Sequence, residues 1–249
     1  MTGRRLEVCY SPALLPAIQE DSERNVVVVD ILRATTAMCT AFGYGVSSVV
    51  PVATEQEALE KKQQGWLVAG ESDGIKLSFA DYGNSPGEFR NPEIKGKDIV
   101  YNTTNGTRAI HLGQKYGKVS IASFVNLEAV CGWLNREQKN VLILCAGWKD
   151  TFSLEDTIFA GAMSDLLVNA YGFIPYDDAT LASIALWGQA APNLMKTVSK
   201  SSHYLRLLGI ENRPGLKYCI FPEKFHVIPV MEGEMLVDLH ALENLKALT

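Results

Sequence analysis

Carboxylate and short polar side chains recur directly after the apolar runs of this 249-residue sequence. Asp30 ends the run 26–30 and is followed by Arg33, Thr35 and Thr36. Carboxylate oxygens suit Mg²⁺, whereas arginine, hydroxyl and backbone N–H groups bind anions. This combination predicts a site for an anion held beside a metal ion.

The same residue types follow the later strands that the sequence predicts, each time before a helix. The acidic members of this set are Glu71, Asp81, Glu155 and Asp156, and the others are Asn84, Ser85, Thr103, Thr104, Asn105, Gly106, Thr107, Arg108, Ser123 and Asn126. In an open parallel sheet, ligands bind beyond the carboxyl ends of the strands, at helix N-termini. Each residue also has a simpler interpretation as a helix cap, a partner of the helix dipole or a surface ion pair. An unpaired carboxylate at the end of a buried strand is costly, which favours a functional role for Asp30.

Three other kinds of chemistry are less favoured. Enzymes that form an aspartyl-phosphate need a second Asp two residues on, where this sequence has Leu32. Cys145 ends a predicted strand as a nucleophile would, but no histidine is placed by the pattern to activate it, so a buried thiol is favoured. The four histidines lack metal-ligand spacing, so zinc is not expected, and we interpret them as structural or solvated.

Alternating strand and helix signals must position these side chains. The predicted strands are 26–30, 48–53, 66–70, 98–101, 119–123 and 141–145, and the predicted helices are 31–43, 55–64, 127–134, 153–170, 179–189 and 193–208. Residues 71–96 predict a long loop, and 217–221, 227–231 and 236–239 predict short strands without intervening helices. The pattern predicts a three-layer α/β/α fold with a mixed, mostly parallel sheet. We expect one domain over residues 1–249, with a C-terminal sub-region that starts at about residue 175.

Composition narrows the class of protein. Hydrophobic residues make up 47% of the sequence, and 23 basic against 28 acidic residues give a net charge of −5. This balance excludes a disordered chain and disfavours nucleic-acid binding. No apolar stretch approaches the roughly 20 residues of a membrane span, and no signal peptide is indicated. Five cysteines without a CxxC pair indicate reduced thiols. We therefore expect a cytoplasmic protein with a small anionic substrate, no nucleic-acid or membrane partner, and a homodimer as the candidate assembly.

Seven segments resemble the 2-phosphosulfolactate phosphatase family. They are 28–36, 70–71, 83–86, 103–108, 123–126, 145–147 and 153–156, in order along nearly the whole chain. The resemblance implies a Mg²⁺-dependent phosphoric monoester hydrolase that converts 2-phospho-3-sulfolactate to 3-sulfolactate, a step on the route to coenzyme M. The run 78–82, Ser-Phe-Ala-Asp-Tyr, departs from the Gly-Phe-Asp-like run of the family.

Under this hypothesis, Asp30 holds Mg²⁺ together with one or more of Glu71, Asp81 and Asp156, and Glu155 is a further catalytic carboxylate. Arg33 or Arg108 stabilises the phosphoryl oxygens, and the hydroxyl, amide and glycine residues listed above bind the substrate. Water attacks, and a carboxylic acid with a raised pKa protonates the leaving group. The alternatives are a phosphatase for another phosphorylated hydroxy acid, a non-catalytic anion- or nucleotide-binding protein, and thiol chemistry at Cys145.

Overall fold

The structure is a computed structural model that describes residues 3–210 and 213–246. In this part of the chain, a sheet of eleven strands forms the middle layer. The strands are β1 (Arg5–Cys9), β2 (Asn25–Val29), β3 (Ser48–Pro51), β4 (Leu67–Ser72), β5 (Ile75–Lys76), β6 (Asp98–Asn102), β7 (Lys118–Ala122), β8 (Val141–Cys145), β9 (Ile174–Pro175), β10 (Pro229–Glu232) and β11 (Met235–Asp238). The helices are α1 (Ala34–Gly43), α2 (Glu55–Gln63), α3 (Gly106–Gly113), α4 (Leu127–Glu137), α5 (Leu154–Tyr171), α6 (Asp178–Ala190), α7 (Leu194–Val198), α8 (Ser202–Leu207), α9 (Arg213–Ile220) and α10 (Leu239–Lys246).

The sheet consists of two parallel groups joined through an antiparallel hairpin. Its order is β5-β4-β6-β3-β11-β10-β7-β2-β8-β1-β9. Strands β4, β6 and β3 pair in parallel, as do β7, β2, β8, β1 and β9. The hairpin β10–β11 pairs antiparallel with β7 on one side and with β3 on the other. The predicted mixed, mostly parallel sheet is therefore confirmed.

Helices cover both faces of this sheet. Successive side chains of a strand point to opposite faces, so a strand covered on both sides must be apolar throughout. In β2, Val27 and Val29 pack in the cluster that contains Phe159 of α5. Val26 and Val28 pack in the cluster that contains Met38 of α1. This arrangement confirms the three-layer α/β/α fold.

Several elements differ from the sequence prediction. Residues 217–221, predicted as a strand, lie largely in α9, because a short apolar run does not separate strand from helix by periodicity. The predicted helix 193–208 is two helices, and Ser201 begins the second by accepting the backbone N–H of Tyr204. Strand β1, which the sequence analysis did not predict, lies between β8 and β9. Among the described helices, none is both long and apolar enough to cross a membrane.

Candidate active site

The turn from β2 into α1 fixes the carboxylate of Asp30. Its Oδ1 accepts the backbone N–H of Ala34 at 3.3 Å. The hydroxyl of Thr35 donates to the Asp30 carbonyl at 3.0 Å and accepts the Asp30 N–H at 3.0 Å. Asp30 is only 7% exposed and lies at the N-terminus of α1, where the helix dipole favours negative charge.

Three more carboxylates surround Asp30. Glu155 and Asp156 lie in the first turn of α5, and Glu71 lies near the end of β4; all three are buried. Burial, with contributions from the charges of Glu71 and Glu155, raises the pKa of Asp30 to about 6, against the opposing effect of His203. Burial and the neighbouring charges of Asp30 and Glu155 also raise the pKa of Asp156. Because like charges in one buried site resist joint ionisation, Asp30 and Asp156 retain protons more strongly than free carboxylates.

Arg33 supplies positive charge beside these acids. It is 4% exposed, and its Nη2 donates to the carbonyl of Gly74 at 3.0 Å. Asp30, Arg33, Glu71, Asn84, Asn105 and His203 are among the residues that line a cavity of about 10 Å³. A second cavity of about 510 Å³ shares Arg33, Gly74 and Asn84 with it, and Lys76 and Ser85 also line this larger space. The buried acids therefore adjoin a space that is large enough for a small ligand.

The turn from β6 into α3 closes another side of the site. Glu71 Oε1 accepts the backbone N–H of Thr104 at 2.9 Å, and its Oε2 accepts that of Gly74. Asn105 Oδ1 accepts the N–H of Lys149 at 3.0 Å. A Cβ placed on Gly106 would lie 2.9 Å from Asp30 Oδ2, so only glycine lets the start of α3 approach this closely.

The carboxylates differ in how much of their hydrogen-bonding capacity is already used. Asp156 accepts the N–H groups of Ile31 at 2.8 Å and Gly147 at 3.3 Å. Both carboxylate oxygens of Glu71 also accept backbone N–H groups. Asp30 Oδ2 accepts no hydrogen bond from the described residues. Over the described ranges, no group of three acidic, histidine or cysteine side chains is placed to hold a metal ion. The described residues therefore do not form a closed protein cage for a metal ion, and Asp30 Oδ2 is the carboxylate oxygen that could hold one.

Two predicted site residues are not brought into this cluster, which corrects the expectation that they join it. Asp81 forms an ion pair with Lys62 at 2.6 Å and accepts the N–H of Val68 at 2.8 Å. Arg108 is about half exposed and pairs with Asp150 at 2.8 Å. Their places in the sequence suggested a role in the site, but the directions in which their side chains point could not be predicted.

Other predicted ligand-binding groups serve the turns themselves. The hydroxyls of Thr35 and Thr36 donate to backbone carbonyls at 3.0 Å, and that of Thr107 donates to the Thr103 carbonyl at 3.1 Å. Ser123 Oγ accepts the N–H of Val125 at 3.2 Å, and Asn126 Oδ1 accepts that of Ser123 at 3.0 Å. The simpler capping interpretation describes these contacts, and a contact of these groups with substrate stays a prediction.

Two site residues were missed by the sequence analysis. His203 Nδ1 lies 3.0 Å from Glu155 Oε1, and the His203 ring lies 5.1 Å from that of Trp148, centroid to centroid. The guanidinium of Arg206 stacks 3.7 Å above the Trp148 ring. No spacing signal in the sequence connects α8 with the start of α5, because only the tertiary fold brings them together.

Comparison with known proteins agrees with this geometry. Residues 9–234 match the model of a protein family described as 2-phosphosulpholactate phosphatase. A protein of Gloeothece citriformis named "Probable 2-phosphosulfolactate phosphatase" is 35% identical over 235 residues, which cover 92% of this chain and 96% of that protein. A Thermotoga maritima protein of the same name is 38% identical over 210 residues, or 84% of this chain and 89% of that protein. A family match over most of the chain and relatives of this similarity place the chain in the 2-phosphosulfolactate phosphatase family.

Proposed function

We propose that the protein is a Mg²⁺-dependent phosphatase that hydrolyses 2-phospho-3-sulfolactate to 3-sulfolactate and phosphate. The observation that carries this proposal is the buried group of acids around Asp30, which faces Arg33 across one cavity in a chain of this family. The named activity of the relatives supports the phosphatase reaction and its substrate. The place of this reaction on the route to coenzyme M, and a cytoplasmic location, are parts of the same proposal.

The charges around the two cavities suit a substrate with several anionic groups. The substrate has a phosphate, a carboxylate and a sulfonate. Arg33 lies where the two cavities meet, and Lys76 and Ser85 line the larger one together with Glu88, whose Oε2 lies 4.0 Å from Lys76 Nζ. With the phosphate bound at Arg33, the other two anions extend into the larger cavity toward Lys76. Arginine binds planar sets of oxygen atoms through paired donors, which suits the phosphoryl end.

A magnesium ion would be held at Asp30 Oδ2. When bound, such an ion neutralises the charge of the phosphoryl oxygens, which the neighbouring carboxylates would otherwise repel. Arg33 binds the phosphoryl group and stabilises the charge that spreads over its oxygens in the transition state. Asn84 and Asn105 line the same cavity and orient the substrate through their amides. Burial of these groups excludes bulk water and strengthens each of these interactions.

Two alternative functions make different predictions. A phosphatase for another phosphorylated hydroxy acid would use the same phosphate contacts and differ in the larger cavity. A protein that only binds anions is disfavoured, because four buried carboxylates would repel its ligand.

A phosphate-release assay tests the proposal. The panel contains 2-phospho-3-sulfolactate, 2-phospholactate and the two phosphoglycerates, each with excess chelator and with added Mg²⁺. We expect turnover of 2-phospho-3-sulfolactate to exceed that of the others, to disappear with chelator and to return with Mg²⁺. Full activity in excess chelator would contradict the metal requirement. Preference for a phosphoglycerate would contradict the substrate and keep the reaction class.

A further inference from the structure

Helix α8 carries His203 into the group of acids. Ser201 begins the helix by accepting the N–H of Tyr204 at 3.1 Å. Tyr204 and Leu207 are 4% and 1% exposed and pack in the core cluster that also contains Phe159 of α5. This packing fixes the helix against α5 and directs His203 toward the cavity that Asp30 and Arg33 also line.

One ring nitrogen of His203 is held by a buried carboxylate. Its Nδ1 lies 3.0 Å from Glu155 Oε1, and the Glu155 side chain is 1% exposed. This carboxylate therefore orients the ring. No described residue forms a hydrogen bond with His203 Nε2.

The proposed reaction needs a proton donor, and the two carboxyl groups of raised pKa are otherwise engaged: Asp30 is assigned to the metal ion, and both oxygens of Asp156 accept backbone N–H groups. The leaving group is the alkoxide of a hydroxy acid, which is strongly basic and departs slowly unless it receives a proton. Arg33 does not release protons at neutral pH. A donor is needed beside the bound substrate, and His203 lines the cavity that Asp30 and Arg33 also line.

We propose that His203, oriented by Glu155, is the general acid that protonates the leaving oxygen of the phosphorylated hydroxy acid. This inference rests on the proposed function and adds a catalytic residue to it. Glu155 is then a positioning residue, because it acts on the substrate through the imidazole.

The step balances in atoms and charge. Water attacks phosphorus and forms a new P–O bond, while the bond between phosphorus and the leaving oxygen breaks and its electron pair stays on that oxygen. His203 Nε2 gives its proton to this oxygen, which leaves as the free hydroxyl of the hydroxy acid. Both protons of the attacking water remain on the product, which departs as dihydrogen phosphate. Neutral His203 then takes one proton from solvent.

The test compares two leaving groups. The His203→Gln variant keeps a polar side chain and cannot act as an acid at neutral pH. We expect kcat for 2-phospho-3-sulfolactate to fall at least about 100-fold, within the usual contribution of a general acid. We expect kcat for 4-nitrophenyl phosphate to change less than about threefold, because nitrophenolate departs without a proton. Glu155→Gln should show the same selectivity with a smaller loss, and His240→Gln, an exposed position on α10, should leave both rates unchanged.

Equal losses of kcat on both substrates, or no loss on either, would overturn the assignment of His203 while leaving the phosphatase function in place. Wild-type protein that releases phosphate from neither substrate would refute the proposed function itself, and the assignment of His203 with it.

A second measurement uses the wild-type protein and does not depend on the folding of a variant. It is the isotope effect on kcat/KM of ¹⁸O at the bridging oxygen of 2-phospho-3-sulfolactate. A proton transferred during P–O cleavage keeps this effect near unity, whereas a large effect in the wild type would show that the oxygen leaves unprotonated and would overturn the proposal. In His203→Gln, where it folds, the effect should rise.

Discussion

Asp30 is both the centre of the proposed site and a source of instability in the folded chain. Its pKa of about 6 lies above the ordinary value for aspartate, chiefly because the carboxylate is buried. Between the two pKa values the folded chain binds more protons than the unfolded chain. The contribution of Asp30 to the free energy of unfolding therefore falls as the pH rises from about 4 to about 6, and stays reduced above that range.

Asp30→Asn should separate stability from catalysis. The amide keeps the shape and its oxygen can still accept the Ala34 N–H, but the buried charge is gone. In chelator at pH 7.5, we expect the free energy of unfolding to rise by on the order of 1–3 kcal/mol, with little gain near pH 4. We expect kcat to fall about 100-fold or more, which corresponds to about 3 kcal/mol. Urea unfolding at both pH values and steady-state kinetics measure these effects; a variant less stable at pH 7.5 would contradict the argument.

Cys145 should matter for packing and not for chemistry. The residue is fully buried in the core cluster with Ile158, and burial, followed by the charge of Asp156, raises the pKa of its thiol well above the ordinary value. It is therefore a neutral thiol at physiological pH and a weak nucleophile. Cys145→Ser should retain kcat within about tenfold and lose about 1–3 kcal/mol of stability. Loss of turnover in a folded variant would instead support thiol catalysis.

Arg108 provides a contrast with Arg33. Its exposed ion pair with Asp150 is worth about 0–1 kcal/mol. Arg108→Lys should therefore change kcat and KM by less than about threefold. A tenfold rise in KM would show that this arginine turns inward and binds the substrate.

The residue types of the site could be predicted from the sequence, but their directions could not. Asp30 was identified because burying an unpaired charge at the end of an apolar strand costs free energy, which favours a functional role for the residue. Asp81 is also a carboxylate, and it lies in the long loop predicted over residues 71–96, yet it forms an ion pair with Lys62. His203 was missed because its partner Glu155 is distant in sequence and only the tertiary fold joins them.

At the scale of elements, the close approach of α3 to α1 shapes the site. A Cβ on Gly106 would lie 2.7 Å from Ala34 Cβ and 2.9 Å from Asp30 Oδ2. Gly106→Ala should therefore displace the carboxylate, lower kcat at least about tenfold and cost about 1–3 kcal/mol through overpacking. Gly188→Ala in α6 is the matched control, because no atom lies within 4 Å of the added Cβ. The control should gain up to about 1 kcal/mol from helix propensity and keep full activity. Kinetics and thermal unfolding of both variants measure the difference, and similar behaviour of the two would refute the steric argument.

Elements with strong periodicity or fully apolar runs could be predicted, and short ones could not. Strands β2 and β8 are apolar at nearly every position because both of their faces are covered. Strand β1 contains Arg5 and Glu7 and gave no such signal. Helix α9 was predicted as a strand because a few apolar residues fit either structure, and tertiary packing decides between them.

At the scale of the whole molecule, the predicted order of alternating strands and helices led to the correct fold class. The sequence did not reveal that a hairpin from residues 229–238 separates two parallel groups, because short antiparallel strands carry no information about where they insert. The homodimer stays a prediction.

The hairpin β10–β11 also affects how the protein folds during its synthesis on the ribosome. Strands β3 and β7 are complete by residue 122, yet β10 and β11, which lie between them, are translated more than one hundred residues later. Until then, the nascent chain exposes two unpaired strand edges, which are sites for aggregation. Closing such distant contacts is slow. The sheet can therefore close only after residues 229–238 have been synthesised. Chaperones that shield strand edges should raise the yield of this protein more than the yield of a protein whose neighbouring strands are also consecutive in sequence.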